Sequence, residues 1–200
     1  MNFNLAKFVT SASRLAECPA DSVCEVAFAG RSNAGKSSAL NSIVGQTGLA
    51  RISKTPGRTQ LINYFQFQAG HYLVDLPGYG FAKVPLAVKD KWQKELENYL
   101  RRRQPLIGLV LLNDIRHPLK EFDRQMVEWA HQSNLPLHLL LTKCDKLKQG
   151  AAKNTLLAVQ KELANYEQLS IQLFSALKTE GIDTARQQLQ HWFESMSSRT

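Results

Sequence analysis

Apolar residues along this chain gather into short runs separated by longer stretches with helical spacing. Most runs are continuous, which is typical of strands buried on both faces of a sheet. The predicted strands are residues 23–29, 61–68, 72–76, 106–112, 135–141 and 169–174. Apolar positions recur every three or four residues in the predicted helices, which are 86–103, 120–133, 151–166 and 181–196. Strands that alternate with helices predict a three-layer α/β fold with helices on both faces of the sheet.

The run at residues 61–68 differs from the others because apolar and polar side chains alternate along it. It reaches the run at 72–76 through the short turn 69–71. Two strands joined so closely predict a hairpin, and therefore one antiparallel edge strand in a six-stranded, mostly parallel sheet. We find no repeat or linker, and predict a single domain over residues 23–200 after an N-terminal extension at residues 1–22.

Composition and charge narrow the class of protein. The chain has 200 residues, 44% of them hydrophobic, which suits one domain with its own core. Its 25 Lys and Arg exceed 17 Asp and Glu, giving a net charge of +8 that favours contact with polyanions such as RNA. The three cysteines are odd in number and lack C-x-x-C spacing, which argues against a disulfide framework or zinc site. The cysteines therefore predict a reduced, cytoplasmic protein. We identify no signal peptide and no apolar run long enough for a membrane helix.

The segment GRSNAGKSS at residues 30–38 follows the first predicted strand and fits the pattern G-x-x-x-x-G-K-[ST]. Its glycines let the backbone curl so that successive N–H groups point at phosphate oxygens, and the following helix adds its positive end. Lys36 can reach the β- and γ-phosphates, and the Ser37 hydroxyl can ligate Mg²⁺. The candidate phosphate-binding residues are Gly30, Arg31, Ser32, Asn33, Ala34, Gly35, Lys36, Ser37 and Ser38.

Two further segments are placed to sense the terminal phosphate. In DLPG, at residues 75–78, Asp75 can bind a magnesium water and Gly78 can offer its N–H to the γ-phosphate. The polar, turn-rich stretch 50–60 suits a mobile loop, in which we prefer Thr59 over Thr55 as a second magnesium ligand. The candidate residues of these segments are Gly57, Arg58, Thr59, Gln60, Leu61, Asp75, Leu76, Pro77 and Gly78.

The last two motifs point to the base. In TKCD, at residues 142–145, Asp145 can accept hydrogen bonds from guanine N1–H and its 2-amino group, an arrangement of donors that adenine lacks. The Lys143 stem can pack on the purine, and the segment 175–178 can offer a backbone N–H to guanine O6. The candidate base-binding residues are Thr142, Lys143, Cys144, Asp145, Ser175, Ala176 and Leu177.

These motifs together resemble the EngB family of bacterial GTP-binding proteins. The resemblance rests on GRSNAGKSS (30–38), KTPGRTQLINYF (54–65), DLPGYGFA (75–82), DIRHPLK (114–120) and TKCDKL (142–147). It implies a Ras-like, Era-like P-loop G domain that binds GTP and GDP. It further implies a Mg²⁺-dependent GTPase switch in assembly of the large ribosomal subunit, whose loss in the family impairs cell division and septation. We expect a monomer with no membrane partner.

The chain departs from the Ras-like pattern at two positions. Thr142 replaces the usual Asn of the base motif, so we expect guanine selectivity from Asp145 with moderate affinity, and a Cys144 side chain that faces away from the base. Tyr79 replaces the glutamine that orients water, which predicts slow turnover. In related potassium-stimulated GTPases an asparagine at the Asn33 position holds K⁺, so we expect stimulation by K⁺. Arg58 is interpreted as a phosphate or solvent contact rather than an arginine finger. The candidate catalytic residues are Asn33, Lys36, Thr59 and Gly78.

A basic segment follows the DLPG motif. We interpret Trp92 and Tyr99 of this segment as core residues, and its basic side chains as a patch for ribosomal RNA. The residues of this patch are Lys89, Lys91, Lys94, Arg101, Arg102 and Arg103. Two alternatives stay open: a module that holds GTP structurally and barely turns it over, and a P-loop kinase or ATPase.

Overall fold

The structure of the protein, a computed structural model, describes residues 1–50, 61–79 and 86–197, and within these ranges the side chains of all but 86–92 and 197. The strands are β1 (Lys7–Ala12), β2 (Cys24–Gly30), β3 (Ile62–Gln68), β4 (His71–Asp75), β5 (Leu106–Asp114), β6 (Leu137–Thr142) and β7 (Leu169–Leu173). The helices are α1 (Lys36–Val44), α2 (Leu86–Arg102), α3 (Glu121–Gln132), α4 (Gln149–Glu162) and α5 (Ile182–Ser197). In these ranges no helix has the length and apolar character needed to cross a bilayer.

The strands form one sheet in the order β1-β3-β4-β2-β5-β6-β7. Neighbours from β4 to β7 pair in parallel, whereas β3 is antiparallel to both β1 and β4. The predicted α/β fold with a mostly parallel sheet is confirmed. Two details of the prediction were wrong: the described part of the chain forms a sheet of seven strands rather than six, and the antiparallel strand β3 lies second from the edge.

The strand that was not predicted is β1, which lies within the segment predicted as an N-terminal extension. It pairs with β3, with Phe8 opposite Phe65 and Ala12 opposite Ile62. Its residues are mostly exposed, and Ala12 alone among them is buried. An edge strand with so little burial needs no continuous apolar run, which explains why the hydrophobic pattern did not reveal it. The domain boundary at residue 22 stays a prediction.

Each face of the sheet carries its own hydrophobic core. Helices α1 and α5 cover one face, where Val26 and Phe28 of β2 point. Helices α2, α3 and α4 cover the other face, where Ala27 and Ala29 of the same strand point. This alternation follows from the two-residue period of a strand and explains why β2 is buried along its whole length.

A buried ion pair joins the start of β2 to the end of α2. Glu25 is fully buried and accepts hydrogen bonds from the Tyr99 hydroxyl (2.7 Å) and from Arg103 Nε (2.9 Å) and Nη2 (2.5 Å). Arg103 also donates to the Pro19 carbonyl (2.7 Å). Burial alone would lower the pKa of Arg103, but the hydrogen bonds and charge of Glu25 raise it above its ordinary value. The Arg103 guanidinium is therefore bound to buried Glu25 and is not available to RNA, which corrects its assignment to the RNA patch.

Candidate functional site

The predicted motifs meet at one edge of the sheet. The parallel strands β2, β4, β5 and β6 end at Gly30, Asp75, Asp114 and Thr142, and Ser175 follows the end of β7. Because the carboxyl ends of parallel strands lie at the same edge, the loops after them surround a single crevice. The structure thus brings the phosphate motif, the DLPG motif and both base motifs together.

Residues 30–38 have the predicted strand–loop–helix form. Asn33 and Gly35 have φ values of 65° and 93°, in the left-handed region, and α1 begins at Lys36 directly afterwards. Gly30 lies close to β5, since a Cβ there would come 2.9 Å from the Leu112 carbonyl oxygen. The positive end of α1 and the curled loop together form a backbone cradle suited to phosphate.

Lys36 and Asp75 form an ion pair between the phosphate cradle and β4. Their side chains are 11% and 10% exposed, and Lys36 Nζ donates to Asp75 Oδ1. Ser37, the next residue of α1, is half-buried. The ammonium and the carboxylate therefore meet inside the crevice, and the serine is the next residue after Lys36 in the chain. Hydroxyl and carboxylate oxygens are the ligands that Mg²⁺ prefers, so this set fits a magnesium ion bound together with phosphate.

The DLPG loop lies along the phosphate cradle. The Ser32 N–H donates to the Tyr79 carbonyl (2.7 Å), and the Tyr79 N–H donates to the Gly30 carbonyl (3.3 Å). Gly78 lies beside Ser32, since a Cβ on Gly78 would come 3.5 Å from the Ser32 nitrogen. The segment that ends in Gly78 is thus already in contact with the cradle that would hold a nucleotide.

The Tyr79 side chain is directed at helix α3. Its hydroxyl donates to Asp123 Oδ1 (2.6 Å), and its ring packs against Phe122 with centroids 4.5 Å apart. Burial, followed by the charge of Asp123, raises the pKa of Tyr79 well above its ordinary value, so the phenol stays protonated. The residue that replaces the water-orienting glutamine is therefore bound to a helix.

Thr142 joins the base motif to the phosphate cradle. Its hydroxyl oxygen lies 2.6 Å from the Ala34 carbonyl oxygen and 3.1 Å from that of Asn113. A hydroxyl carries one proton, and the shorter distance favours donation to Ala34. The threonine thus holds the loop after β6 against the cradle. The moderate affinity that we expect from this residue stays a prediction.

Lys143 is held by Asn33, a predicted site residue, and by Asp114, which our reading of the sequence did not assign to the site. Its Nζ donates to the Asn33 carbonyl (2.6 Å) and to Asp114 Oδ2 (2.9 Å). Asp114 is also bound by Arg116 Nε (2.9 Å) and Nη2 (2.6 Å), and these hydrogen bonds lower the pKa of its carboxyl. The available signal for Asp114 was an acidic residue two positions after the predicted strand 106–112.

Asp145 is oriented by the loop after β7. Its Oδ1 accepts from the Ser175 hydroxyl (2.5 Å), and its Oδ2 lies 3.2 Å from Lys146 Nζ. The bond from Ser175 and then that from Lys146 lower the pKa of Asp145, although its partial burial raises it. The carboxylate therefore stays ionised at neutral pH. Beside it, Ala176 is half-buried and Leu177 is 71% exposed.

Cys144 lies within the base motif, and its thiol is turned into the protein. It is buried, and its Sγ donates to Glu180 Oε2 at 3.3 Å. Burial, together with Glu180, raises the pKa of Cys144 to about 12. Because a thiol of this pKa is almost wholly protonated at neutral pH, it is a poor nucleophile.

Part of the predicted site lies outside the described residues. Gly57, Arg58, Thr59 and Gln60 are in this part, so the second magnesium ligand and the loop before β3 stay predictions. Leu61, which directly precedes β3, is exposed.

Comparison with known proteins identifies the family. A family model described as a 50S ribosome-binding GTPase matches residues 25–143. The probable GTP-binding protein EngB of Idiomarina loihiensis is 55% identical over 194 residues, which cover 96% of this chain and 94% of that protein. That of Vibrio parahaemolyticus is 53% identical over 194 residues, which cover 96% and 89%. The chain belongs to the EngB family of GTP-binding proteins. This confirms the family and the guanine nucleotide predicted from the motifs.

Solved structures agree with the EngB assignment at the level of the fold. A crystal structure of a probable EngB GTP-binding protein has a TM-score of 0.69 at 21% identity, covering 88% of this chain and all of that one. A structure of Era with MgGDPNP and nucleotides 1506–1542 of 16S ribosomal RNA has a TM-score of 0.64 at 22% identity, covering 86% of this chain and 57% of that one. The EngB-family chain therefore has the predicted Ras-like GTPase fold.

Proposed function

We propose that this EngB-family GTPase is a Mg²⁺-dependent switch that acts in assembly of the large ribosomal subunit in the cytoplasm. Through this role it would support cell division and septation. The proposal is carried mainly by the ionised Asp145 carboxylate, oriented by Ser175 in the same crevice as the Lys36–Asp75 pair. One crevice thus offers a guanine acceptor and a phosphate cradle.

The arrangement of charges supports the binding of GTP or GDP with magnesium. Phosphate oxygens would replace Asp75 as partners of the Lys36 ammonium, because both offer negative charge at the same Nζ. Asp75 would then hold a magnesium water, while Ser37 and Thr59 ligate the ion. When bound, Mg²⁺ neutralises charge that develops on the phosphate oxygens during transfer.

Hydrolysis requires a group other than a glutamine side chain. The Tyr79 hydroxyl is bound to Asp123, and its ring is buried. Asn33 lies at the mouth of the cradle, where its carbonyl accepts from Lys143. We assign to its side chain the coordination of a K⁺ ion beside the β- and γ-phosphates, where positive charge stabilises the transition state.

We expect GTP hydrolysis to be about tenfold faster in K⁺ than in Na⁺ at matched ionic strength, and faster again with large-subunit precursors. Phosphate release is the measurement, with GTP displaced by excess GDP but not by ATP. Asn33→Ala is expected to remove the difference between the two cations. Equal rates in K⁺ and Na⁺ would contradict the cation site. Turnover that stays unmeasurable with precursors present would support the alternative of a structural GTP-holding module.

Ribosomal RNA is the proposed partner of the basic face of α2. Lys94 and Arg102 are exposed and make no ion pair with the described residues. They are eight positions apart in the helix, which places them about 80° apart around its axis and on the same side. Arg101 is exposed and pairs with Glu97 at 3.1 Å. The side chains of Lys89 and Lys91 lie outside the described residues. The family description as 50S ribosome-binding supports this partner.

Reversing two charges of this face tests the docking site. Lys94→Glu with Arg102→Glu is expected to weaken co-sedimentation with large subunits in the presence of a GTP analogue. Losing two phosphate contacts would reduce the slope of log affinity against log salt by about 1.5. Lys153→Glu with Lys161→Glu changes the net charge equally on α4, where both lysines are exposed, and is the control. An equal effect of the two pairs would show that net charge, and not this face, drives binding.

A further inference from the structure

Tyr79 connects three parts of the nucleotide site. Its backbone N–H and carbonyl bond to Gly30 and Ser32 of the phosphate cradle. Its side chain crosses to α3, where the hydroxyl reaches Asp123 at 2.6 Å. The Gly78 N–H is the predicted contact of the γ-phosphate. Tyr79, the residue after it, is therefore held by the phosphate cradle through its backbone and by α3 through its side chain.

Asp123 is built into the start of α3. It is the third residue of the helix, and its Oδ2 accepts from the Lys120 N–H (2.9 Å), which closes the first turn. Its other oxygen, Oδ1, accepts from Tyr79. The residue is almost fully buried. Because both carboxylate oxygens have a defined donor, the side chain is a rigid anchor for whatever bonds to it.

We propose that Tyr79 is a positioning residue that raises the affinity for GTP relative to that for GDP, by tying the Gly78 end of the DLPG loop to Asp123 of α3. The inference rests on the proposed GTPase switch and names a further determinant of it. GTP requires Gly78 to be ordered against its third phosphate, whereas GDP lacks that phosphate. A bond that orders the neighbouring residue beforehand lowers the entropic cost of binding GTP and leaves that of GDP nearly unchanged.

The same bond connects the loop to helix α3. Phe122, next to Asp123, packs on Tyr79. It also packs on Trp129, seven residues later in α3, and the centroids of the Phe122 and Trp129 rings are 5.6 Å apart. A γ-phosphate contact that holds Gly78 would therefore be coupled to the first turns of α3 through both the hydrogen bond and the ring contact.

Tyr79→Phe tests the inference because it removes only the hydroxyl. Affinities for a non-hydrolysable GTP analogue and for GDP are measured by competition. We expect the affinity for the analogue to fall about tenfold, as for the loss of one hydrogen bond to a charged acceptor, and that for GDP to change less than about twofold.

Tyr99→Phe is the matched control. This variant also removes a buried phenol that donates to a buried carboxylate, Glu25, but at the opposite end of β2. It is expected to lower thermal stability to a similar degree while leaving the ratio of the two affinities unchanged. A ratio that falls equally in both variants would overturn the positioning role and leave a structural one.

A double-mutant comparison locates the effect in the pair. Asp123→Asn keeps an oxygen acceptor for the Tyr79 hydroxyl but removes its negative charge. The ratio of the affinity for the GTP analogue to that for GDP is therefore expected to fall less in this variant than in Tyr79→Phe. The double variant is expected to match Tyr79→Phe alone, because the hydroxyl is already missing. Additive losses, or an unchanged ratio in Tyr79→Phe, would overturn the inference. Failure of the wild type to bind guanine nucleotides would instead overturn the proposed function.

Discussion

Replacing Asp145 by Asn should lower the affinity for GTP about a hundredfold and create a preference for xanthosine triphosphate. The carboxylate can accept from two guanine donors, and an asparagine amide presents one oxygen and one NH₂ group instead. Xanthine carries an oxygen where guanine carries its 2-amino group, so the NH₂ group gains a partner. A hundredfold loss corresponds to about 2.8 kcal/mol, near the value expected for a charge-assisted hydrogen bond.

Nucleotide competition measures this exchange directly. The Ser175 hydroxyl can still donate to the Asn oxygen, as it does to Asp145 Oδ1, so the loop should keep its place. Asp183→Asn makes the same chemical change at a side chain that is 91% exposed on α5 and should leave both affinities unchanged. Retention of GTP binding by Asp145→Asn, without a gain for the xanthine nucleotide, would show that another residue recognises the base.

Replacing Arg103 by Ala should destabilise the protein by about 3–5 kcal/mol, because it leaves Glu25 buried without its cation. Glu25 is 0% exposed, and the Arg103 side chain is 13% exposed. For a chain of this size the loss corresponds to a fall in Tm of about 10 °C, which thermal unfolding would detect.

The neighbouring residue offers the control for this prediction. Arg102 is exposed, and Arg102→Ala should change the free energy of unfolding by less than about 0.5 kcal/mol. Reduced ribosome binding by an Arg103 variant would therefore report unfolding before it reports contact with RNA. Equal Tm values for the two variants would mean that Glu25 finds another partner or becomes protonated.

Much of the fold could be predicted because the residues of the hydrophobic core form recognisable patterns over short stretches of sequence. A strand such as β5 is buried on both faces and appears as a continuous apolar run. Helix α3 shows a stripe in which Met126, Val127 and Ala130 are buried. Strand β1 could not be predicted in this way, because most of its side chains contact solvent and its place depends on pairing with β3.

The residues of the candidate site likewise include some that could be predicted from the sequence and some that could not. The cradle, the DLPG loop and the base motifs could be predicted because phosphate, magnesium and guanine each require particular residue types at short spacings. The roles of Asp114 and Asp123 could not be predicted, because their partners, Lys143 and Tyr79, are 29 and 44 residues away in the chain. Arg103 was misassigned because its partner, Glu25, is 78 residues away.

The sequence alone therefore determined the α/β architecture and the chemistry of a guanine-nucleotide site. Only the tertiary structure decided what the unusual and the charged residues do: Tyr79 bonds to α3, Thr142 to the cradle, and Arg103 to a buried glutamate. The reason is physical. Burial patterns and phosphate cradles are local and repeat in sequence, whereas the partner of a polar side chain is chosen by packing between elements that are distant along the chain.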